Sequence, residues 1–130
     1  MALTMAGLVG GLTGLSWSGI TKVFGEMPQQ VTTANIPYMY PRIPASSAAA
    51  ATFSAAIGLR SATVELVTVV GTPSQGTNAA KFDKMVALID SMHAVLAANA
   101  LTLNIDQWTI SSEYTEDGYW LIVATVEASG

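Results

Sequence analysis

The sequence predicts an α+β domain with elements in the order α-β-β-α-β-β. Two observations carry this prediction: apolar residues at helical spacing over 77–99, and runs typical of strands on both sides of that stretch. Together they predict a four-stranded, mostly antiparallel sheet with two helices packed on one face. A chain of 130 residues is the right length for a single domain, residues 1–130, with one core.

The stretch from Thr77 to Asn99 predicts the helix around which the rest is organised. Thr77 or Asn78 can cap its first turn by accepting a bond from a free backbone amide, and Asn99 is predicted to end it in a left-handed conformation. Its predicted buried side consists of Phe82, Met85, Val86, Ile89, Met92 and Leu96. Burying six such side chains is worth roughly 1.5–3 kcal/mol each, so this helix must lie on a sheet.

Residues 1–20 carry no charge and contain five glycines, which leaves three interpretations open. One is a signal peptide, but the segment lacks the basic region with which a signal peptide begins. A membrane-spanning helix needs about 20 strongly apolar residues, and Gly, Ser and Thr dilute this segment. The interpretation we adopt is a weak amphipathic helix with Leu8, Leu12 and Leu15 on one face. Because interior glycines cost about 1 kcal/mol each, this helix requires tertiary support.

Two strands are predicted before the long helix. Val31 to Tyr40 is rich in β-branched and aromatic residues, and Pro37 predicts an edge position or a bulge because proline lacks a backbone donor. Pro41 is predicted to close this strand. Ala62 to Val70 has apolar residues on both faces. It therefore predicts a central strand, or one whose outer face is covered by a second protein.

Two further strands form a predicted antiparallel hairpin over 105–112 and 119–128. Trp108 and Ile110 share one face of the first strand, and Gly118 supplies a positive φ at the end of the connecting turn. The second strand places Trp120, Ile122, Ala124 and Val126 on one face.

Between the first two strands lies a long low-complexity loop at about 44–59. It is uncharged and rich in Ala and Ser, with Phe53 and Ile57 as its large apolar residues. Loops of this length in a compact domain are usually functional or disordered, and its alanines also allow a short helical piece. We hypothesise that it is mobile in the isolated subunit and orders against a neighbouring copy.

The composition is low in charge and slightly acidic. Only 11% of residues are charged, whereas about 25% is usual. Burial of part of the surface against another subunit would account for so few charged residues, which indicates oligomerisation. The alternative is an exposed surface made of small, uncharged residues. The net charge is −4 and no base follows Lys84, so the sequence lacks the basic footprint of a nucleic-acid-binding protein. The acidic excess suits a face that repels DNA, a face that meets a basic partner, or simple solubility.

Candidate sites for chemistry are few. There is no cysteine, and His93 is the single histidine. Glu113, Glu116 and Asp117 cluster at the predicted hairpin, where they could hold a hard cation, although acids at a turn are more often just solvated. Gly7 to Gly14 lacks the Lys-Ser/Thr of a phosphate-binding loop. We therefore predict a protein that is not an enzyme and has no cofactor and no bound metal.

Two short phrases carry a resemblance to a known family. Gly19 to Phe24 reads GITKVF before a proline, and Ile36 to Pro41 reads IPYMYP before the long loop. With the order of elements, these phrases resemble the tail terminator (tail completion) and neck proteins of long-tailed bacteriophages. The resemblance covers most of the chain. One departure is the glycine-rich first helix, which lacks the charged residues that this helix often has in the family.

The resemblance implies a structural virion protein that forms a ring of six copies on the finished tail tube. Such a ring stops tube polymerisation and presents the surface that joins the head. The implied partners are other copies of the chain, the tail tube protein and head-tail connector proteins, with DNA passing through the lumen without specific binding. The implied location is the virion tail after assembly in the host cytoplasm, with no membrane involved.

The resemblance also directs attention to particular residues. Contacts with the tube or a neighbouring subunit are expected in and beside the long loop, with the candidates Arg42, Ser46, Ala50, Phe53, Ile57 and Arg60. Glu113, Glu116 and Asp117 are candidates for an acidic lumen or partner face. Three alternatives stay open: a head-tail connector of the same fold, a small α+β ligand-binding or enzymatic dimer, and a membrane-attached protein using residues 1–20.

Overall fold

The computed structural model describes residues 3–29, 35–44, 53–54, 58–59, 61–72 and 76–129. Within these ranges the protein is α+β, as predicted, with two α-helices and a five-stranded mixed sheet. The helices are α1 (Met5–Thr13) and α2 (Asn78–Asn99). The strands are β1 (Lys22–Val23), β2 (Tyr38–Arg42), β3 (Phe53–Ser54), β4 (Gly58–Leu59), β5 (Ser61–Gly71), β6 (Ile105–Tyr114) and β7 (Trp120–Ser129).

The main sheet has the order β1-β2-β5-β7-β6, one strand more than predicted. The added strand is β1, which pairs in parallel with β2, while the other neighbours are antiparallel. Two backbone hydrogen bonds of 2.8 Å hold it: the Thr21 N–H donates to the Pro37 carbonyl, and the Phe24 N–H donates to the Met39 carbonyl. A two-residue strand is too short to show an alternating pattern, which is why the sequence did not reveal it.

Strand β2 corrects the prediction for the segment before the long loop. It covers Tyr38–Arg42 rather than 31–40, and residues 31–34 lie outside the described residues. It is not an edge strand, because β1 and β5 flank it. Pro41 lies within the strand instead of closing it, since proline removes one donor without changing the extended backbone. The short pair β3–β4 forms a separate antiparallel ribbon inside the segment predicted as a loop.

Strand β5 lies at the centre of the sheet, as the apolar residues on both of its faces predicted. On one face Val64, Leu66 and Val70 join a core cluster with α1 and α2, so both helices pack on the same side. On the other face Val67 and Val69 are also buried, although they lie outside that cluster. Neither α1 nor α2, the two helices of the described residues, packs on this second side, which we call the helix-free face.

Helix α2 begins where the sequence predicted but buries a different stripe. The hydroxyl oxygen of Thr77 accepts a hydrogen bond from the Ala80 amide at 3.1 Å, which confirms the cap. Its buried residues are Lys81, Met85, Leu88, Met92 and Leu96. Phe82 and Val86 are 56% and 44% exposed, so their predicted burial is wrong. The helix is rotated because the apolar stem of Lys81, rather than Phe82, packs towards the sheet.

The end of α2 also differs from the prediction. Ala100, the residue after the helix, keeps a right-handed conformation, so Asn99 does not end the helix as a left-handed residue. The left-handed asparagine is Asn104, with φ of 56°, at the entry to β6. Asparagine tolerates this region better than most residues, and here it serves the turn into the strand.

Helix α1 packs as the amphipathic interpretation predicted, with Leu8 and Leu12 buried. The Thr4 hydroxyl caps its first turn by accepting a bond from the Gly7 amide at 3.0 Å. The indole N–H of Trp17 donates to the carbonyl oxygen of Leu12 at 2.9 Å, which ties the following loop to the end of the helix. Neither of the helices in the described residues combines the length and apolarity needed to cross a membrane.

Gly71 has a specific packing role beside Lys81. A Cβ at Gly71 would lie 2.6 Å from Cδ of Lys81, too close for the two atoms. We therefore expect Gly71→Ala to lower the free energy of unfolding by about 1–2 kcal/mol, measured by urea denaturation. In a Lys81→Ala background the same change should be neutral or stabilising by up to about 1 kcal/mol, because the clash is gone. Equal costs in both backgrounds would contradict this packing.

Candidate functional site

The candidate interface residues predicted around the long loop are only partly described. Arg42 lies exposed at the end of β2, where its Nε donates to a carboxylate oxygen of Glu65 at 2.9 Å. This hydrogen bond is the main reason that the pKa of Arg42 is raised. Phe53 belongs to β3, and nothing is described of its side chain. The remaining candidates, Ser46, Ala50, Ile57 and Arg60, lie outside the described residues.

The three candidate acids lie at one end of the sheet. Glu113 is in the last part of β6, while Glu116 and Asp117 are in the turn that leads to β7, and all three are exposed. Gly118 has φ of 89°, as predicted for the end of this turn. In the part of the chain that the structure describes, no three His, Asp or Glu side chains are placed to share a metal ion.

Aromatic rings cover one side of the helix-free face. The rings of Tyr38 and Tyr40 stack with centroids 6.2 Å apart, and Phe24 meets Tyr38 edge-on at 5.9 Å. Across the sheet Tyr40 is in register with Val67, which is in register with Val123. The pKa of Tyr38 is raised, chiefly by burial and further by Tyr40 and Tyr119. The aromatic side chains thus extend the apolar strip formed by the buried valines.

The raised pKa of Tyr38 predicts a loss of stability in alkali. The neutral phenol is favoured in the folded state, so its contribution is fully present below the pKa of an unfolded tyrosine, about 10. It is lost as pH rises through that value towards the higher pKa of the folded state. We expect the urea midpoint to fall more steeply above pH 10 in the wild type than in Tyr38→Phe. Identical pH profiles of the two proteins would contradict the prediction.

A second exposed feature follows one flank of α2. We call Phe82, Val86 and Ile89 the α2 ridge; the first two are exposed and Ile89 is half-buried. His93 continues the same flank, and its Nδ1 accepts a hydrogen bond from the indole N–H of Trp108 on β6 at 2.9 Å. The α2 ridge therefore lies on the β6 side of the helix. Sequence reasoning assigned Phe82 and Val86 to the core and so missed them as a surface.

The opposite flank of α2 borders a groove. Its volume is about 590 Å³, and it lies between α2 and the segment that follows α1. We call it the α1–α2 groove; it is lined by Gly14, Leu15, Ser16, Ser18, Ser91, Ala94, Val95, Ala98 and Asn99. The hydroxyl of Ser91 donates to the Ser18 carbonyl at 3.3 Å, which joins its two walls. None of the lining residues carries a charge.

The most buried lysine in the described residues has no catalytic partner there. The ammonium of Lys81 donates to the Thr72 carbonyl at 2.9 Å and lies 6.0 Å from the centre of the Trp120 ring. No carboxylate of the described residues lies within ion-pair distance of it. The indole N–H of Trp120 and the Thr72 hydroxyl, in the same corner, are buried with no hydrogen-bond partner among the described residues. Within the described part of the chain, this corner has no acid-base pair of the kind that activates a nucleophile.

Comparison with known proteins adds no assignment. No protein-family model matches the chain, and no curated protein matches it. Function is therefore inferred from the sequence phrases, the fold and the two flanks of α2.

Proposed function

We propose that this protein is a structural virion protein that forms a ring, with six copies, on the end of a phage tail tube. The ring stops tube polymerisation and provides the surface to which the head is joined. The proposal starts from the phrases at Gly19–Phe24 and Ile36–Pro41, which resemble those of tail terminator proteins. It is supported by the order of elements, with one helix before and one helix within a largely antiparallel sheet.

One observation carries the proposal furthest: large apolar side chains are exposed near both edges of the sheet, beside β1 and β2 at one edge and beside β6 at the other. Met27 and Ile43, 70% and 56% exposed, follow β1 and β2 at one side. Phe82 and Val86 are exposed on the β6 side of α2, at the other. A subunit that joins its neighbours through two different surfaces forms a ring or a filament rather than a two-fold dimer. Two separate apolar surfaces are what such a subunit needs.

The charge distribution supports a lumen through which DNA passes. Glu113, Glu116 and Asp117 are exposed together at one end of the sheet, and the chain has nine acids against five bases. Acids lining a channel repel the phosphate backbone and keep DNA from binding. We propose that the ring binds the tail tube protein on one side and head-tail connector proteins on the other. In this proposal the ring is part of the virion tail, assembles in the host cytoplasm and involves no membrane.

Tail tube assembly in vitro tests the proposal directly. Purified protein is added to polymerising tail tube protein, and tube ends and lengths are measured by negative-stain electron microscopy. We expect a ring at one end of each tube and a length that no longer grows after addition. Binding along the side of tubes, or continued growth, would contradict the capping role. Binding at the end of a head-tail connector without any effect on tube length would favour a connector function instead.

A further inference from the structure

We infer that neighbouring copies of this protein join edge to edge through their sheets, with β1 of one copy pairing along the outer edge of β6 of the next. This inference rests on the proposed function, because it names the contact from which a ring of identical subunits is built. The occupant of the β6 edge is thus a second copy of the chain. The five-stranded sheets then continue from copy to copy around the ring.

Strand β6 is an unprotected edge of the sheet. It is the outermost strand, ten residues long, and no strand of the described residues pairs with its outer side. From Gln107 to Ser112 it contains no charged residue, no proline and no register shift. Proteins protect long edge strands with such features, because unpaired backbone groups pair readily with another strand. The β6 edge is therefore able to accept a further strand.

Exposed apolar side chains border the same edge on the helix side of the sheet. The α2 ridge lies on the β6 side of α2, with Phe82 and Val86 exposed. Tyr114, at the end of β6, is 66% exposed. In β1 the residue that faces the helix side is Val23, which packs against the core cluster of its own copy. A β1 segment added to β6 would therefore bury apolar surface as well as pair backbone groups.

The strand directions allow all copies to have the same orientation. Strand β1 runs parallel to β2, and each step from β2 to β5, β7 and β6 reverses the direction. Strand β6 therefore runs opposite to β1 within one copy. When the next copy has the same orientation, its β1 meets β6 in the antiparallel arrangement, which gives the more stable ladder. A head-to-tail contact of this kind repeats and closes into a ring when the rotation per copy divides a full turn.

One row of residues across the sheet has opposite charges at its two ends. The row lies on the helix-free face and runs, by strand register, through Glu113, Leu121, Val69, Tyr38 and Lys22. Both end residues are exposed, and neither has an ion-pair partner among the described residues. When copies join with this row continuous, Lys22 of one copy lies opposite Glu113 of the next. Opposite charges at facing positions of two strands stabilise their pairing.

Charge disfavours the symmetric alternative, in which two β6 edges pair. Antiparallel pairing of two β6 strands about their centre would place Glu113 of each copy opposite Gln107 and beside Asp106 of the other. No base lies on β6, on β7 or in the turn between them, so this contact brings uncompensated acids together. The β1 edge instead has Lys22 in its strand and one acid, Glu26, in the segment after it. The β1 edge of a second copy is therefore the better partner for β6.

Engineered cysteines test the inference, because the chain has none of its own. In Lys22→Cys with Glu113→Cys, the two thiols lie at opposite edges of the sheet within one copy and face each other only between copies. Facing residues of an antiparallel pair have Cα atoms about 4.5–5.5 Å apart, within the range of a disulfide. Oxidation of assembled protein with copper phenanthroline should give a ladder of linked copies, up to six, on a non-reducing denaturing gel. Each single variant should run as a monomer on that gel.

The variant Lys22→Cys with Ser112→Cys is the matched control. Ser112 precedes Glu113 by one residue and is in register with Ile122 on the helix side, so its side chain points to the other face of the sheet. It should therefore run as a monomer on the same gel. A second measurement uses the wild type: outward-pointing amides of residues 107–112 should exchange hydrogen about tenfold more slowly in rings than in monomers obtained by dilution.

The outcomes separate this inference from the proposed function. Rings of the Glu113 double variant that give no ladder would overturn the inference and leave the ring proposal standing. Equal cross-linking of the Ser112 control, or dimers of the single Glu113→Cys variant, would also overturn it. If the double variant forms no rings, the exchange measurement decides, and unchanged exchange in β6 overturns the inference. A wild type that stays monomeric at high concentration would overturn both.

Discussion

Replacing Trp17 by alanine is expected to lower the free energy of unfolding by about 3–5 kcal/mol, the range for a large buried aromatic side chain. Trp17 is 6% exposed and belongs to the core cluster beneath the sheet. Its indole N–H also satisfies the carbonyl of Leu12 near the end of α1. The change therefore removes packing and the shorter of two hydrogen bonds that the Leu12 carbonyl accepts; the Leu15 amide, at 3.4 Å, remains its donor. Denaturant unfolding monitored by far-UV circular dichroism measures the effect.

The variant Trp17→Phe separates these two contributions. It retains an aromatic ring but has no N–H, so we expect a loss of roughly 1–2 kcal/mol from the missing hydrogen bond and the smaller ring. A cost below about 1 kcal/mol for Trp17→Ala would show that the end of α1 does not depend on this anchor.

The sequence was most informative where the chain forms long strands. The β6–β7 hairpin was predicted within two residues at each end, because Trp108 and Ile110 alternate with polar residues along β6 and strand-forming residues run without a break from Trp120 to Val126 in β7. Strand β5 was recognised as central from its two apolar faces. Strand β1 was missed because its two residues are held by contacts with Pro37 and Met39, which no local pattern reveals.

In contrast, the sequence did not identify which face of α2 is buried. Apolar residues cover more than half of its circumference, so spacings of three and four fit two overlapping stripes equally well. The buried stripe is decided by a long-range contact, the stem of Lys81 lying against Gly71 on β5. The Arg42–Glu65 ion pair likewise joins residues on different strands. For these reasons, the α2 ridge and the partner of Arg42 emerged only from the structure.

Replacing Phe82 by aspartate is expected to abolish ring formation while changing the free energy of unfolding by no more than about 0.5 kcal/mol. Phe82 is largely exposed, and exposed substitutions away from special features have small effects on stability. In the proposed ring, however, Phe82 belongs to one of the apolar surfaces through which copies join, so the new carboxylate would be buried there, and burying an unpaired charge is costly. Light scattering should show monomers, and tail tubes polymerised with this variant should keep growing.

Leu101→Asp is the matched control for this variant. Leu101 is 94% exposed and follows α2, away from the α2 ridge, so the change removes an exposed apolar side chain of similar character and adds the same charge. It should form rings and limit tube length like the wild type. If both variants stayed monomeric, added negative charge on an already acidic protein would explain the loss of assembly. If only Phe82→Asp fails to form rings, the loss depends on where the charge is placed, and the α2 ridge is a surface through which copies meet.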